Sequence, residues 1–277
     1  MKHSILKRVG ILCMVAAMSF TAIPVQATEI TGITAVQEKT TVRNGWVKEN
    51  GKYYYYVNGK KLINQLKKIG NYYYYLGSDG ARKTGWYTVK KTVSGKTVYR
   101  TYYFNSKGAS NGKYVTADSK MMQNLDKVIS ANKISSNLNT VSKEKAAVKK
   151  LYDYTVKTYK YRRVIGFQPT KNWHFQYAKE MLARKSGSCY HDAAVFGTMV
   201  KRATGLPVRV CWGKATGVLN KGKTQVHAWT EIKIGDVWYV YDTNAGRYSN
   251  VSRNWYYRKV SGMTKYYKAD KKVEVKL

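Results

Sequence analysis

A cysteine, a histidine and an aspartate occur in an order and in local contexts that suit nucleophilic catalysis. Cys189 opens an apolar segment, His227 begins the run His-Ala-Trp, and Asp242 ends a later apolar run. A thiol is a strong nucleophile at neutral pH when a base takes its proton and a carboxylate orients that base. The three residues therefore predict a catalytic triad, provided that the fold brings them together.

The segment after Cys189 has the pattern of a buried helix. Ser188 suits an N-cap, and Gly205 followed by Pro207 is a stop signal. Apolar residues recur three and four positions apart, at Ala193, Phe196, Met199, Val200 and Ala203. In the first turn, the helix dipole and the free N–H groups favour a thiolate and can hold an oxyanion. A small buried cysteine without a catalytic role is the alternative.

A β-hairpin is predicted to position the other two candidates. Strands 225–234 and 237–242 are joined by Gly235-Asp236, a two-residue turn signal. That turn pairs residues whose numbers sum to 471, which places Trp229 opposite Asp242 and His227 opposite Asn244. His227 and Asp242 would then be diagonal neighbours on one face, about 7 to 8 Å apart at the backbone.

The remaining histidines and the second cysteine are weaker candidates. His191 lies about 200° around the predicted helix from Cys189 and would point away from it. His174 stands in the opening turn of the preceding helix with no partner at a useful spacing. Cys211 alternates with apolar residues in a strand over 208–212, before a glycine- and lysine-rich loop over 213–223, so we interpret it as structural. A Cys189–Cys211 disulfide is the less favoured alternative, and the spacing of these residues fits no usual metal site.

Upstream of the site, helical spacing predicts helices over 117–131 and 143–159 and a third from about residue 172. Ser142 is the expected N-cap of the second helix.

The N-terminus predicts export. Residues 1–27 have a basic start, an apolar run and a small-residue ending, as in a cleaved signal peptide, and residues 28–44 form a polar linker. The signal contains three basic residues and no acidic ones, so its removal lowers the formal net charge from +35 to +32. Outside the cell, such a charge suits anionic wall polymers, acidic glycans or membrane headgroups, with a merely basic surface as the alternative. We expect no nucleic-acid partner and no membrane span.

Residues 45–113 contain an aromatic repeat. The runs Tyr53–Tyr56 and Tyr72–Tyr75 start 19 residues apart, glycine turn dipeptides flank them, and a third copy opens at Gly85-Trp86. Each copy predicts a β-hairpin, and stacked hairpins would form a solenoid. The pattern resembles choline- and glucan-binding cell-wall repeats. That resemblance makes Trp46, Tyr54 and Trp86 the candidate wall-binding residues, with packing inside the solenoid as the alternative.

Four motifs in the second half resemble the core of the transglutaminase-like superfamily. They are Gly187-Ser188-Cys189, Gly205 to Val210, His227 to Glu231, and Trp238 to Asp242. The resemblance implies an α+β class, with helices packed on an antiparallel sheet in a papain-like core over 114–277. It also implies that Cys189 attacks a carboxamide, His227 transfers the proton and Asp242 orients His227. The oxyanion-supporting side chain of the family has only Trp173 and Gln168 as candidates, and Trp173 also fits a core residue.

Together these patterns predict an exported, wall-associated cysteine enzyme that acts on glutamine or peptide amides through a thioester. An amine or water would resolve the thioester, which makes the enzyme an acyltransferase or a peptidase. Its partners would be a protein or peptide substrate and a wall polymer of anionic or choline/glucan type. No cofactor, metal or calcium is expected, because the 11 acidic residues of the second domain form no binding loop. The alternative is a wall-binding protein whose transglutaminase-like domain is inactive.

Overall fold

The computed structural model describes residues 42–167, 170 and 172–277, which form a mixed α/β fold. The predicted signal peptide lies outside the described residues, as does most of the predicted linker. Among the helices that the structure describes, none combines the length and the apolar character that a membrane span requires.

Three antiparallel hairpins lie near the start of the described chain. The first turn, Asn50-Gly51, has positive φ at both residues, which is the geometry that joins two twisted strands with two residues. The third hairpin is the longest of the three, with two nine-residue strands. The strands of this region are β1 (Gly45–Glu49), β2 (Lys52–Val57), β3 (Lys60–Lys61), β4 (Gln65–Ile69), β5 (Tyr72–Leu76), β6 (Gly85–Val93), β7 (Lys96–Phe104) and β8 (Tyr114–Thr116).

Four helices follow, close to the predicted positions. In order, the elements are α1 (Ser119–Ala131), α2 (Val141–Thr158), β9 (Lys160–Tyr161), α3 (Trp173–Arg184), β10 (Ser186–Gly187) and α4 (Cys189–Thr204). The predicted N-cap of α2 is wrong. Thr140, not Ser142, is extended and accepts a hydrogen bond from the Lys143 backbone N–H through its hydroxyl, so Ser142 already lies inside the helix.

The last part of the chain forms a five-stranded antiparallel sheet in the order β14-β13-β12-β11-β15. In chain order, the elements of this part of the chain are β11 (Val208–Thr216), β12 (Thr224–Ile234), β13 (Val237–Tyr241), α5 (Thr243–Tyr248), β14 (Arg258–Lys259), a 3₁₀ turn (Val260–Gly262) and β15 (Tyr267–Glu274). Helix α4 packs on β11 and β12, with α2 and α3 beside it, and is buried from Cys189 to Lys201. The sheet and the helix thereby hold the candidate residues in a single core.

Strand β11 is longer than predicted, because it continues to Thr216 and shortens the expected loop over 213–223. Gly213 makes this continuation fit. The ladder to β15 shifts register between Trp212 and Gly213, and β15 passes so closely that a Cβ at Gly213 would lie 2.2 Å from the Lys268 carbonyl oxygen. A side chain would push the two strands apart here, so glycine acts in this position as a strand residue and not as a loop residue.

The third hairpin contacts the C-terminal end of α4. Arg202 donates to the Thr88 carbonyl oxygen (2.7 Å) and to both carboxylate oxygens of Asp126 (2.8 and 3.1 Å). The Tyr87 hydroxyl donates to the Gly205 carbonyl oxygen at 3.3 Å. The hairpin is therefore attached to the helix whose first residue is Cys189.

Candidate active site

Cys189 is the first residue of α4 and is nearly buried, with 8% of its surface exposed. Ser188 precedes it in an extended conformation as the predicted N-cap. The His191 ring completes the cap, because its Nδ1 accepts from the Ser188 backbone N–H (3.2 Å) and lies 3.0 Å from the Ser188 hydroxyl. His191 Nε2 then donates to Glu180 at 3.3 Å. As predicted, His191 belongs to the helix start and not to the thiol.

The structure brings His227 and Asp242 into direct contact. His227 Nε2 lies 2.7 Å from Asp242 Oδ2, and both side chains are buried. The ladder between β12 and β13 has the predicted register, from Thr230 opposite Tyr241 to the turn. The predicted pairing of His227 with Asn244 is wrong. The chain leaves the ladder at Asp242, whose Oδ1 caps α5 by accepting from the Ala245 backbone N–H (2.8 Å), so Asn244 is helical.

Helix α4, which begins at Cys189, packs on the strand that carries His227. Burial by itself lowers the pKa of His227, but the negative charges of Asp242 and Cys189 and the hydrogen bond to Asp242 outweigh it and raise the pKa well above its usual value. Nδ1, the ring nitrogen not bonded to Asp242, has no hydrogen-bond partner among the described residues. Nδ1 is therefore the ring nitrogen that could exchange a proton with the Cys189 sulfur, as a catalytic base must.

Tyr267 is a site residue that the sequence patterns did not reveal. Its hydroxyl donates to Asp242 Oδ2 at 2.8 Å, the same oxygen that bonds His227. The Tyr152 hydroxyl donates to the Asp242 carbonyl oxygen at 3.1 Å. Tyr267 begins β15, whose sequence Tyr-Lys-Ala-Asp-Lys-Lys-Val-Glu is mostly charged and has no clear alternation. No local signal marks it, because it reaches the site only through the pairing of β15 with β11.

Replacing Tyr267 by phenylalanine is expected to lower turnover and to move the titration of His227 to higher pH. The ring keeps its packing while one donor to Asp242 is lost, so the carboxylate charge acts more fully on His227. The lost hydrogen bond should cost about 1.5 to 3 kcal/mol of the free energy of unfolding. Ring NMR of His227 across pH separates positioning from packing. A change in stability alone, with the titration unmoved, would show that Tyr267 only packs.

A buried ion pair fixes α4 against α5. Asp192, one helical turn after Ser188, accepts from Arg247 at 3.0 and 3.2 Å and from the Asn244 side chain at 3.0 Å. Arg247 also donates to two carbonyl oxygens at the end of α2, each at 2.7 Å. Burial raises the pKa of Asp192, although Arg247 and Asn244 oppose this shift. The pair sets the position of the Cys189 helix relative to the helix that Asp242 caps.

The candidates for an oxyanion-supporting side chain have different outcomes. Gln168 lies outside the described residues. Trp173 is 3% exposed and packs against Phe167, Tyr177 and Tyr190, which fits the core interpretation. The described geometry therefore offers the free backbone N–H groups of the first α4 turn as the oxyanion donors.

Cys211 is free, as is Cys189, so the less favoured disulfide is absent from the described structure. It is fully buried on β11. Burial and the nearby Glu231 carboxylate raise the pKa of the Cys211 thiol well above its usual value. Glu231, the last residue of the His-Ala-Trp-Thr-Glu motif, bonds Arg209 on β11 and Lys272 on β15. These features give Cys211 and Glu231 structural roles in the sheet.

His174 is 2% exposed, and neither of its ring nitrogens has a hydrogen-bond partner among the described residues. Burial lowers the pKa of His174 to about 4. Its unfolded-state value is about 6.5. The unfolded chain therefore binds a proton that the native chain does not, so stability falls as the pH decreases from about 6.5 to about 4.

We expect His174→Leu to remove this acid sensitivity, which should amount to about 3 kcal/mol at pH 4. Urea unfolding of the wild type and the variant at pH 7.5, 5 and 4 measures it. The two chains should diverge as the pH falls. Parallel stability curves over this range would contradict the assignment.

The three candidate wall-binding residues lie on the hairpins in separate aromatic groups. Trp46 contacts Tyr55 and Tyr74, with ring centres 5.1 and 4.9 Å away. The ring centres of Trp86 and Tyr103 lie 5.1 Å apart, and Tyr54 lies under Lys61.

No group of three or more His, Cys, Asp or Glu side chains in the described ranges could hold a metal ion.

Residues 131–243 match the family model of the transglutaminase-like superfamily. The chain contains a transglutaminase-like domain. The match includes Cys189, His227 and Asp242 but ends before Arg247 and Tyr267, so these two contacts come from outside the matched region. A transglutaminase-like domain indicates a cysteine-peptidase-like or acyltransferase-like function.

Solved structures give weaker likenesses. A putative cysteine protease from Cytophaga hutchinsonii is 15% identical, with 61% of this chain and 68% of that chain covered and a TM-score of 0.32. A structure named as a TGase is 16% identical over 65% and 48% of the two chains, also with a TM-score of 0.32. The Cpl-1 endolysin, complexed with a peptidoglycan analogue, is 26% identical over 26% of this chain and 25% of its own, with a TM-score of 0.20. The chain thus spans about a quarter of that endolysin. No curated protein sequence matches this chain.

Proposed function

We propose that this chain is an exported, wall-associated cysteine enzyme that acts on glutamine or peptide amides through a thioester. The observation that carries the proposal is the buried hydrogen bond of 2.7 Å between Asp242 and His227, on a strand against which the helix that begins at Cys189 packs. In this arrangement Cys189 is the nucleophile, His227 transfers the proton and Asp242 fixes the orientation of His227.

The reaction has two balanced steps. The sulfur of Cys189 attacks the amide carbon, the carbon–nitrogen bond breaks, and ammonia or an amine leaves with a proton from His227. The thioester carbon is then attacked by an amine or by water, which gives one proton to His227 as the carbon–sulfur bond breaks and the Cys189 sulfur leaves as a thiolate. An amine gives a crosslink and water gives a hydrolysed amide. The N–H groups at the start of α4 would stabilise the oxyanion in both steps.

The wall association is proposed from the first part of the chain. Residues 1–27 would direct export, residues 28–44 would link, and the hairpin repeat over 45–113 would hold the domain over 114–277 at the wall. The excess of Lys and Arg over Asp and Glu, 50 against 15, favours anionic polymers there.

Mass spectrometry of a glutamine-containing protein incubated with the mature chain and a labelled primary amine tests the reaction. Incorporated label identifies acyl transfer, whereas deamidation or chain cleavage identifies hydrolysis. Cys189→Ala should abolish every product, and Cys211→Ala, which removes the other buried thiol, should retain them. Absence of all products, with wall binding intact, would favour a non-catalytic binding protein instead.

A further inference from the structure

The rings of Trp46 and Tyr53, which we call the cage at Trp46, are covered by a cation of the chain itself. The guanidinium carbon of Arg82 lies 4.3 Å from the centre of the Tyr53 ring and 5.4 Å from that of Trp46. Gly108 makes room for this side chain, since a Cβ there would lie 2.6 Å from two Arg82 carbons. A cation over an aromatic face takes the place that a quaternary ammonium ligand would occupy. Arg82 therefore closes this cage to such ligands.

The neighbouring aromatic face is covered in the same way. Lys61 Nζ lies 3.7 Å from the centre of the Tyr54 ring and is held there by an ion pair of 3.2 Å with Glu49. The Tyr56 hydroxyl donates to the same carboxylate at 2.9 Å. All three candidate wall-binding residues thus have a cation of the chain near the ring, because Lys276 Nζ lies 5.6 Å from the centre of the Trp86 ring.

A groove beside Trp86 has open aromatic faces. Arg100 lies over the Tyr114 ring of this groove at 4.3 Å, but Tyr72 and Tyr103 are 51% and 52% exposed. Among the described residues, no lysine or arginine head group lies over the ring of Tyr72 or Tyr103. The groove encloses a cavity of about 430 Å³. We call it the Trp86 groove, and the lining residues that matter here are Tyr72, Trp86, Tyr103, Asn105, Asn111 and Lys113.

Three polar side chains that line the Trp86 groove can donate hydrogen bonds to a ligand: Asn105, Asn111 and Lys113. Asn105 Oδ1 accepts from the backbone N–H groups of Lys107 and Ala109, and Asn111 Oδ1 accepts from that of Lys113, at 2.9 to 3.0 Å. The amide nitrogens of both asparagines are thereby left for a ligand. Lys113 adds a charged donor, and no acidic side chain in the described part of the chain lines the groove. Donors with positive charge and without carboxylates select an anionic, oxygen-rich ligand.

We propose that the Trp86 groove binds an anionic polysaccharide, with sugar rings against Tyr72 and Tyr103 and acidic groups against Asn105, Asn111 and Lys113. The cage at Trp46 takes no quaternary ammonium ligand. This assignment rests on the proposed attachment of the hairpins to the wall and is independent of the thioester chemistry.

Calorimetric titration of the mature chain tests the groove with three probes. They are an oligosaccharide of alternating glucuronic acid and N-acetylglucosamine, an uncharged N-acetylglucosamine oligomer of equal length, and choline. The anionic oligosaccharide should bind most tightly, and choline should not bind. Tyr103→Ala and Tyr72→Ala should each weaken the anionic probe by about tenfold. Lys113→Gln should weaken it and reduce its salt dependence.

Tyr53→Ala is the matched control, because Tyr53 is also exposed but lies on the first hairpin under Arg82. It should leave the affinity unchanged. Choline binding by the wild type, equal affinity for the two oligosaccharides, no binding of the anionic one, or an equal loss in Tyr53→Ala would each overturn the proposal. Alkylation of Cys189 in every variant reports the other domain. Its failure would count against the thioester enzyme and not against the groove.

Discussion

Replacing His227 by alanine is expected to lower amide turnover by about 10³-fold or more and to slow alkylation of Cys189 at neutral pH. Despite burial, Asp242 and Cys189 raise the pKa of His227 well above its usual value, which favours an imidazolium that assists the sulfur. Without that imidazole, the Cys189 sulfur loses the base that assists it, so its alkylation at neutral pH should be slower.

The measurement is the rate of iodoacetamide labelling of Cys189, followed by mass spectrometry between pH 5 and 9. His174→Leu is the matched control, because it removes another buried histidine, and it should label like the wild type. His227→Asn keeps a polar side chain at this position, so it checks that the slower labelling in His227→Ala does not come only from the small size of alanine. If His227→Ala and His227→Asn kept the wild-type pH profile, the proposed role of His227 would be wrong.

Replacing Arg247 by methionine is expected to reduce the free energy of unfolding by about 3 to 5 kcal/mol. The change leaves Asp192 fully buried with only the Asn244 amide as its polar partner. A neutral acid is cheaper to bury than a carboxylate, so the loss should be smaller at acidic pH, where Asp192 is protonated. Because the pair fixes α4 against α5, turnover should fall with stability.

Two comparisons sharpen this experiment. The double variant Asp192→Asn, Arg247→Met removes both charges and should recover much of the loss. Lys149→Met breaks an ion pair whose side chains are 51% and 55% exposed, and it should cost less than about 1 kcal/mol. Equal losses from Lys149→Met and Arg247→Met in urea unfolding would contradict the assigned importance of the buried pair.

The local parts of the site could be predicted from the sequence because short-range rules govern them. Gly235-Asp236 fixed the register between β12 and β13, and Ser188 with the apolar stripe located the start of α4. Those two elements carry His227 and Cys189. The same rules failed where a side chain offered a competing bond, as when the cap formed by Asp242 ended the ladder before Asn244.

The contacts that complete the site depend on tertiary structure, which no local pattern encodes. Tyr267 meets Asp242 only because β15 pairs with β11, and Arg247 meets Asp192 only because α5 turns back onto α4. Arg82 covers the ring of Trp46 although it lies far from Trp46 in the sequence. The repeat pattern therefore identifies Trp46 but gives no sign of the cation over it.

Intact mass spectrometry of an acid-quenched reaction with a glutamine-containing peptide tests the central claim most directly. The wild type should carry an adduct equal to the peptide mass less ammonia, located on Cys189 and released by hydroxylamine. His227→Ala should accumulate little of it and Cys189→Ala none. An adduct that persists in Cys189→Ala, or turnover of the peptide with no adduct on Cys189, would contradict the thioester mechanism.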